Sequence, residues 1–331
     1  MRATDTRMFE VSDDGPVVPA ERPVPVPAAG EVLVRVRARS LNARDLPIVG
    51  RRYSVAVPPG RIPLSDGAGT VEAVGEGVSR FQVGDRVMST FHPNHLYGPL
   101  PGWGELYGVQ RDGWLTEHIA VGEHSVVAVP EHLSFAEAAT LPCAALTAWS
   151  ALSGIGAGDS VLLQGSGGVS VFALQFARLA GARVLVTTSS AEKGRRLREL
   201  GASEVVDRTA TPEWGDQVRE LTGGGVDRVV DIGGAGTIAG SIAALAQGGT
   251  ISLVGNLGSG GGMDLTRFLS RGATLRAITV GNRSDFERMN RVIGLHQVRP
   301  VIDRIFPFEE SPAAFSHFEH GSRLGKVVIG D

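Results

Sequence analysis

The sequence predicts an α/β protein in which an all-β, barrel-like domain precedes a doubly wound parallel sheet. Three observations carry this. Between Gly30 and Val129 the chain alternates apolar and polar residues in short runs broken by turns. After Ser134 the runs become continuously apolar and are separated by helix-length stretches. The first of these buried runs turns on glycines straight into an apolar helix, through Gly165-Ser166-Gly167-Gly168-Val169-Ser170.

In the first part, Val32 to Ala38 alternates apolar with charged residues, the period of two expected of a half-buried strand. Gly69 to Gly75, Gly84 to Met88 and Glu117 to Val121 repeat that pattern. Ser134 is placed to cap a helix that begins at Phe135, where the period changes. Ser160 to Gln164, Arg183 to Thr187, Arg228 to Asp231 and Thr250 to Val254 read as strands covered on both faces, as in a parallel sheet. Beyond Gly281 follow a helix from Ser284 to about His296, a strand near Arg304 to Phe306, a helix from Glu309 and a last strand, Gly325 to Ile329. This tail is expected to rejoin the first domain, which gives domains of 1–128 with 282–331, and 129–281.

A chain of 331 residues has room for two such domains. A formal charge of −3, with no Lys/Arg stripe along any predicted helix, argues against a nucleic-acid partner. No apolar run approaches the roughly 18 residues of a membrane span and the first residues carry no signal-peptide core, so a cytoplasmic protein without membrane contact is expected. The single cysteine, Cys143, excludes an intramolecular disulfide and a four-cysteine structural zinc site.

In the glycine turn, Gly165 permits the tight bend and Gly167 lets the backbone approach a pyrophosphate. Ser166, Gly168 and Val169 complete the loop and the helix N-terminus, whose N–H groups would hold the anion. The alternative is an ordinary strand-to-helix turn, but the flanking strand, helix and second strand all fall in register for a dinucleotide site. An NAD site usually ends its second strand in a carboxylate that accepts from the ribose hydroxyls. Here that strand ends Thr187-Thr188-Ser189-Ser190. Ser189 and Ser190 can donate to a 2′-phosphate and Lys193 can neutralise it, so the predicted cofactor is NADP, working as NADPH. Alternatively these serines cap the next helix and Lys193 faces solvent, and the two readings are compatible. Gly233 and Gly255-Asn256 end later strands and are predicted neighbours of the nicotinamide half.

The series Asn42-x-x-Asp45, Gly67-x-Gly69-Thr70-Val71, Val83-Gly84-Asp85-Arg86-Val87, Leu146-Thr147-Ala148-Trp149 and Gln164 to Ser170 resembles the medium-chain dehydrogenase/reductase superfamily. The likeness spans nearly the whole chain and is greatest to the zinc-free branch of quinone and enoyl reductases. It implies a GroES-like β-barrel catalytic domain, a Rossmann domain, and Thr147 beside the nicotinamide. Lys326, in Leu324-Gly325-Lys326-Val327, resembles the family's closing motif and would reach the cofactor, or else only sit at a strand end. A homodimer joined through the edge strand Thr274 to Ile278 is also implied. Zinc-dependent members would carry Cys where Asn42 stands, His-Glu where Ser65-Asp66 stand and Cys where Cys143 stands. With one of three primary ligands left, no metal is expected. Arg44 and Pro47 stand near the positions of those enzymes' proton relay.

Without zinc, side chains must polarise the acceptor and supply a proton. The first candidate is Tyr53, eight residues after Asp45, where the resemblance places a tyrosine near the substrate; the alternative is a tyrosine packed at a turn. The second is Asn42, whose amide can donate to a substrate oxygen or hold the cofactor carboxamide. Asp45 is expected to tie this loop down, and Cys143 to line the pocket or to be a small buried hydrophobe. Phe91, Tyr97, Trp103 and Tyr107 suggest a partly apolar lid or a loop-covering cluster, with His92 and His95 as loop histidines. The expected activity is zinc-independent hydride transfer from NADPH to a small electrophile, an activated C=C or a quinone. Two alternatives stay open: NADP-dependent alcohol or carbonyl oxidoreduction, and NADPH binding without catalysis.

Overall fold

The computed structural model describes residues 5–13, 17–102, 104–255 and 261–330. The chain divides into two compact units, 1–146 with 281–331, and 147–280. The C-terminal tail thus folds with the first unit, and so do residues 129–146.

The first unit is built on Glu31–Ser40, the alternating run that the sequence marks as a strand. One edge of it pairs along Asp66–Val74; the other is shared between His118–Gly122 and Lys326–Gly330. Ile302–Pro307 extends the sheet beyond Lys326–Gly330, while Arg86–Ser89 and Val126–Ala128 extend it beyond Asp66–Val74. Two register shifts in the Glu31–Ser40 pairing bend the sheet. It closes on a core of Val32, Val34, Val36, Val71, Val87, Trp114 and Val121. A separate hairpin, Asp5–Val11 with Val17–Pro23, lies ahead of the region where the alternation was legible.

This ladder places the chemistry. Asp66 and Val328 both lie opposite Ser40, on its two sides. Leu41-Asn42 leaving the central strand, Ser65-Asp66 entering one neighbour and Lys326 entering the other therefore meet at one end of the sheet. The expected cap at Ser134 is present as a full capping box with Glu137. The helix it starts is short, Phe135–Ala138, and gives way to a widened π-type turn, Leu141–Ala145, that carries Cys143.

The second unit is the parallel sheet. Glu204–Asp207, Arg183–Thr188, Ser160–Gln164, Val226–Asp231, Leu245–Leu253 and Thr274–Ala277 lie side by side in that order, every neighbouring pair parallel. Leu162, Leu185, Val229 and Ile251 fill its core with Ile242 and Leu245. Leu245–Leu253 begins before the expected Thr250 because Gln247-Gly248-Gly249 interrupts the apolar run without ending the strand.

Candidate active site

At the sheet end of the first unit, the Asn42 backbone N–H donates to Asp45 Oδ2 at 2.7 Å. That closure starts the short helix Asp45–Val49, so Asp45 does tie the loop down. Asp66 Oδ1 accepts from Ser65 Oγ at 2.7 Å, and its Oδ2 accepts from the Cys143 N–H at 3.1 Å, which the widened turn leaves available. Lys326 Nζ donates to Leu41 O and to Asn42 Oδ1, each at 2.6 Å. Asn42, Asp45, Ser65, Asp66 and Lys326 are all buried. Leu64, fully buried, sits at φ +72°, a left-handed conformation that costs a leucine about 1–2 kcal/mol. Its carbonyl is pinned by the Trp114 N–H at 2.9 Å, and this turn sets the direction in which Ser65-Asp66 enter the cluster.

Burial pushes the Asp45 carboxyl up to about 7, although the Arg44 guanidinium and the Asn42 N–H favour its anion. Burial also raises Asp66 above the usual carboxylate range, against Lys326, Ser65 and the Asn42 amide. That amide faces Asp66, yet its Nδ2 closes no hydrogen bond among the described residues. Lys326 is lowered by burial, while Asp66, Cys143 and Asp45 favour its charged form. Burial, reinforced by Asp66, pushes the Cys143 thiol up, so it is protonated at neutral pH.

Tyr53 is half-buried, its ring centroid 5.4 Å from the Arg44 guanidinium, which also lies 4.9 Å from the Phe91 ring. Arg44 Nη1 donates to Tyr107 O at 3.3 Å; its Nε and Nη2 have no hydrogen-bond partner among the described residues. Of the four aromatic residues expected to form a lid or a loop-covering cluster, the described ones differ in placement. Tyr107 is buried in the barrel core, 6.1 Å from Trp114, whereas Tyr97 is 78% exposed and Trp103 lies outside the described residues. His92 and His95 meet edge to face, and His95 Nε2 bonds Gly98 O, as loop histidines would.

In the second unit, Gly165 adopts φ +71° after Ser160–Gln164, the positive value that makes glycine the suited residue. Gly167 caps the helix Gly168–Leu179 without any side-chain bond, and a Cβ built on it meets nothing within 4 Å. A helix N-terminus leaves its first-turn N–H groups, at Gly168 and Val169 among them, without intrahelical partners, which fits an anion such as a pyrophosphate. Ser170 Oγ donates back to Gln164 O at 2.6 Å and ties helix to strand where a third glycine would allow close approach. Ser166 is half-buried in the loop, and Thr147 is buried at the start of this unit. Asp231 fastens the next loop, accepting from Gly234 N at 2.8 Å and Thr237 Oγ1 at 2.7 Å. A side chain at Gly233 would run into Thr237, and one at Gly255 into Ile232 O. Asn256 lies outside the described residues.

Ser190 caps the helix Ala191–Glu199 by accepting from Lys193 N; Ser189 is exposed and Lys193 half-buried. One neighbour escaped the sequence reading. Arg208 follows Glu204–Asp207, donates its N–H to Thr188 O at 3.0 Å, and exposes a guanidinium that makes no hydrogen bond or ion pair among the described residues. Its strand, Glu-Val-Val-Asp, is too short and too charged to announce itself, and only strand pairing brings Arg208 beside Ser189. Lys326, expected to reach the cofactor or else to sit at a strand end, heads a strand of the first unit and donates from Nζ to Leu41 and Asn42.

The zinc of metal-dependent members does not fit this donor set. An amide, a hydroxyl, a protonated thiol and a carboxylate already bonded to Ser65 and Cys143 surround a buried lysine. Among the described residues no group of three or more His, Cys, Asp or Glu is arranged to hold a metal ion.

Comparison with known proteins agrees with both units. Residues 28–131 match the alcohol dehydrogenase GroES-like domain and residues 168–294 the zinc-binding dehydrogenase family. A zinc-type alcohol dehydrogenase-like protein of Schizosaccharomyces pombe is 40% identical over 97% of this chain and 96% of its own. The 2-methylene-furan-3-one reductase of Solanum lycopersicum is 32% identical over 95% of this chain and 75% of its own. A crystal structure of a putative alcohol dehydrogenase from Sinorhizobium meliloti 1021 superposes with a TM-score of 0.94 at 39% identity, covering 100% of both chains. The chain is an oxidoreductase of the medium-chain dehydrogenase/reductase superfamily, in its quinone oxidoreductase-like branch.

Proposed function

We propose that the chain is a zinc-independent reductase that takes hydride from NADPH to an activated C=C, of an enone, enoyl or quinone acceptor. The observation that carries this reading is the sheet end itself. Where zinc-dependent members would need thiolate and imidazole, this chain has Asn42, Ser65 and a buried ammonium. Polarising the acceptor then falls to N–H and O–H donors, and an enone oxygen gathering charge as its β-carbon is reduced suits such donors. The tomato relative named as a 2-methylene-furan-3-one reductase supports the same acceptor class.

Bound NADPH would supply the hydride. The glycine turn and the uncapped helix N-terminus hold the pyrophosphate; Ser189, Lys193 and Arg208 gather donors and positive charge for a 2′-phosphate. Tyr53 donates a proton from Oη to the reduced acceptor, its ring held under Arg44, whose Nε and Nη2, without hydrogen-bond partners among the described residues, remain for an acceptor oxygen.

The test is product analysis with an enone and NADPH. The expected product is the saturated ketone, with Tyr53→Phe lowering kcat about a hundredfold, the lower end of general-acid contributions, at unchanged NADPH affinity. An allylic alcohol as product would instead place the chain with carbonyl reductases, the activity that several relatives' names suggest. Tight NADPH binding without turnover of any enone, quinone or aldehyde would make it a binding protein.

A further inference from the structure

Of the 32 basic side chains other than histidine, only two are lysines, Lys193 and Lys326. All the others are arginines, the buried Arg39 and Arg228 included. Lys193 is half-buried beside the predicted phosphate site, whereas Lys326 is 2% exposed. Its Nζ lies between Leu41 O and Asn42 Oδ1 at 2.6 Å from each, a gap that suits a compact ammonium and not a planar guanidinium fork. Lysine has donors only, so the amide oxygen of Asn42 must face it, and the amide N–H groups are turned toward Asp66. A buried cation persists only beside compensating charge, and Asp66 is the buried carboxylate that favours its charged form most.

We propose that Lys326 is an internal cation standing in for the metal of zinc-dependent members: it fixes the Asn42 amide, counters Asp66, and keeps a divalent ion out of this sheet end. The proposal rests on the metal-free reading above, but it makes a claim that needs neither substrate nor cofactor. Refitting the missing ligands should fail while Lys326 remains, because a dication would sit against an ammonium among buried side chains.

The experiment is metal analysis of the full-length chain and its variants after exposure to zinc and exhaustive dialysis. Asn42→Cys with Ser65→His is expected to retain less than about 0.1 zinc per chain, and the same pair with Lys326→Met about one per chain, a tenfold difference or more. Equal zinc in the double and triple variants, whether none or one, overturns the proposal. Stoichiometric zinc in the unaltered chain overturns this proposal and the metal-free function together. Zinc in the double variant alongside a metal-free unaltered chain overturns this proposal only. A second measurement needs no variant. Reductive methylation of the native chain is expected to modify Lys193 at least a hundredfold faster than Lys326, and similar rates would remove the buried ammonium on which the proposal stands.

Discussion

At the scale of single residues, the sheet end concentrates titratable groups with unequal environments. Asp45 has a folded value of about 7 against an ordinary one near 4, so the folded chain holds its proton where the unfolded chain has lost it. Its contribution to stability is therefore fully present below pH ~4, is lost as pH rises from ~4 to ~7, and levels off above. The loss is at most ~4 kcal/mol, three units at 1.36 kcal/mol each. Asp45→Asn keeps an acceptor for the Asn42 N–H and removes the titration. Urea denaturation at pH 5 and pH 8 should show a smaller fall in stability for the variant than for the native chain; equal falls would mean that Asp45 does not titrate in this range. Asp66 is shifted in the same direction and leaves a residual slope in both proteins. In the second unit, Lys193 and Arg208 are predicted to set cofactor preference. Replacing both by Ala should raise KM for NADPH about tenfold or more and leave KM for NADH within about threefold, since the lost charge-assisted bonds act only on the 2′-phosphate. Equal losses with both cofactors would place these residues outside that role.

At the scale of elements, the glycine turn separates folding from binding. Gly167 has extended backbone angles and open space where a Cβ would go, so Gly167→Ala should leave the fold intact, at a cost of about 1 kcal/mol or less for the weaker helix cap. The same methyl group would occupy the approach of a pyrophosphate. A shift of a few degrees in Tm, together with at least a tenfold rise in NADPH Kd, is expected. Unchanged affinity would mean that the anion does not lie over this turn. This element was legible from sequence because strand, glycines and helix are contiguous, and the period changes within a few residues. Asn42, Ser65-Asp66 and Cys143 were legible as a group only through resemblance, since they are far apart in sequence and meet through the register of two strands and the turn that carries Cys143. The partners of Lys326 were not legible at all. Nothing local to Leu-Gly-Lys-Val distinguishes a lysine that meets a cofactor from one that turns inward to Asn42. Arg208 was hidden for the same reason, as its neighbour Thr188 is reached only by pairing Asp207 across a four-residue strand.

At the scale of the whole molecule, the parallel sheet leaves one edge open to association. Thr274–Ala277 ends the six-stranded sheet and all four residues are exposed. Unpaired sheet edges are liabilities that natural proteins cover, charge or pair. Leu275 on this strand, and Leu265 and Leu269 on the helix before it, expose 38%, 62% and 76% of their surfaces, an apolar rim beside the edge. We propose that two copies join edge to edge about a two-fold axis, which covers this rim and continues the sheet. The Ile278 N–H donates inward to Leu253 O, so by strand alternation the N–H of Leu275 points outward, toward the second copy. Leu275→Pro removes that one donor from the free edge, where proline is tolerated, and leaves the inward ladder intact. Light scattering is expected to give a dimer for the native chain and a monomer for the variant, with unchanged far-UV circular dichroism. A variant that keeps the native mass, or a native chain that is already monomeric at tens of micromolar, would show that this edge is not where copies meet.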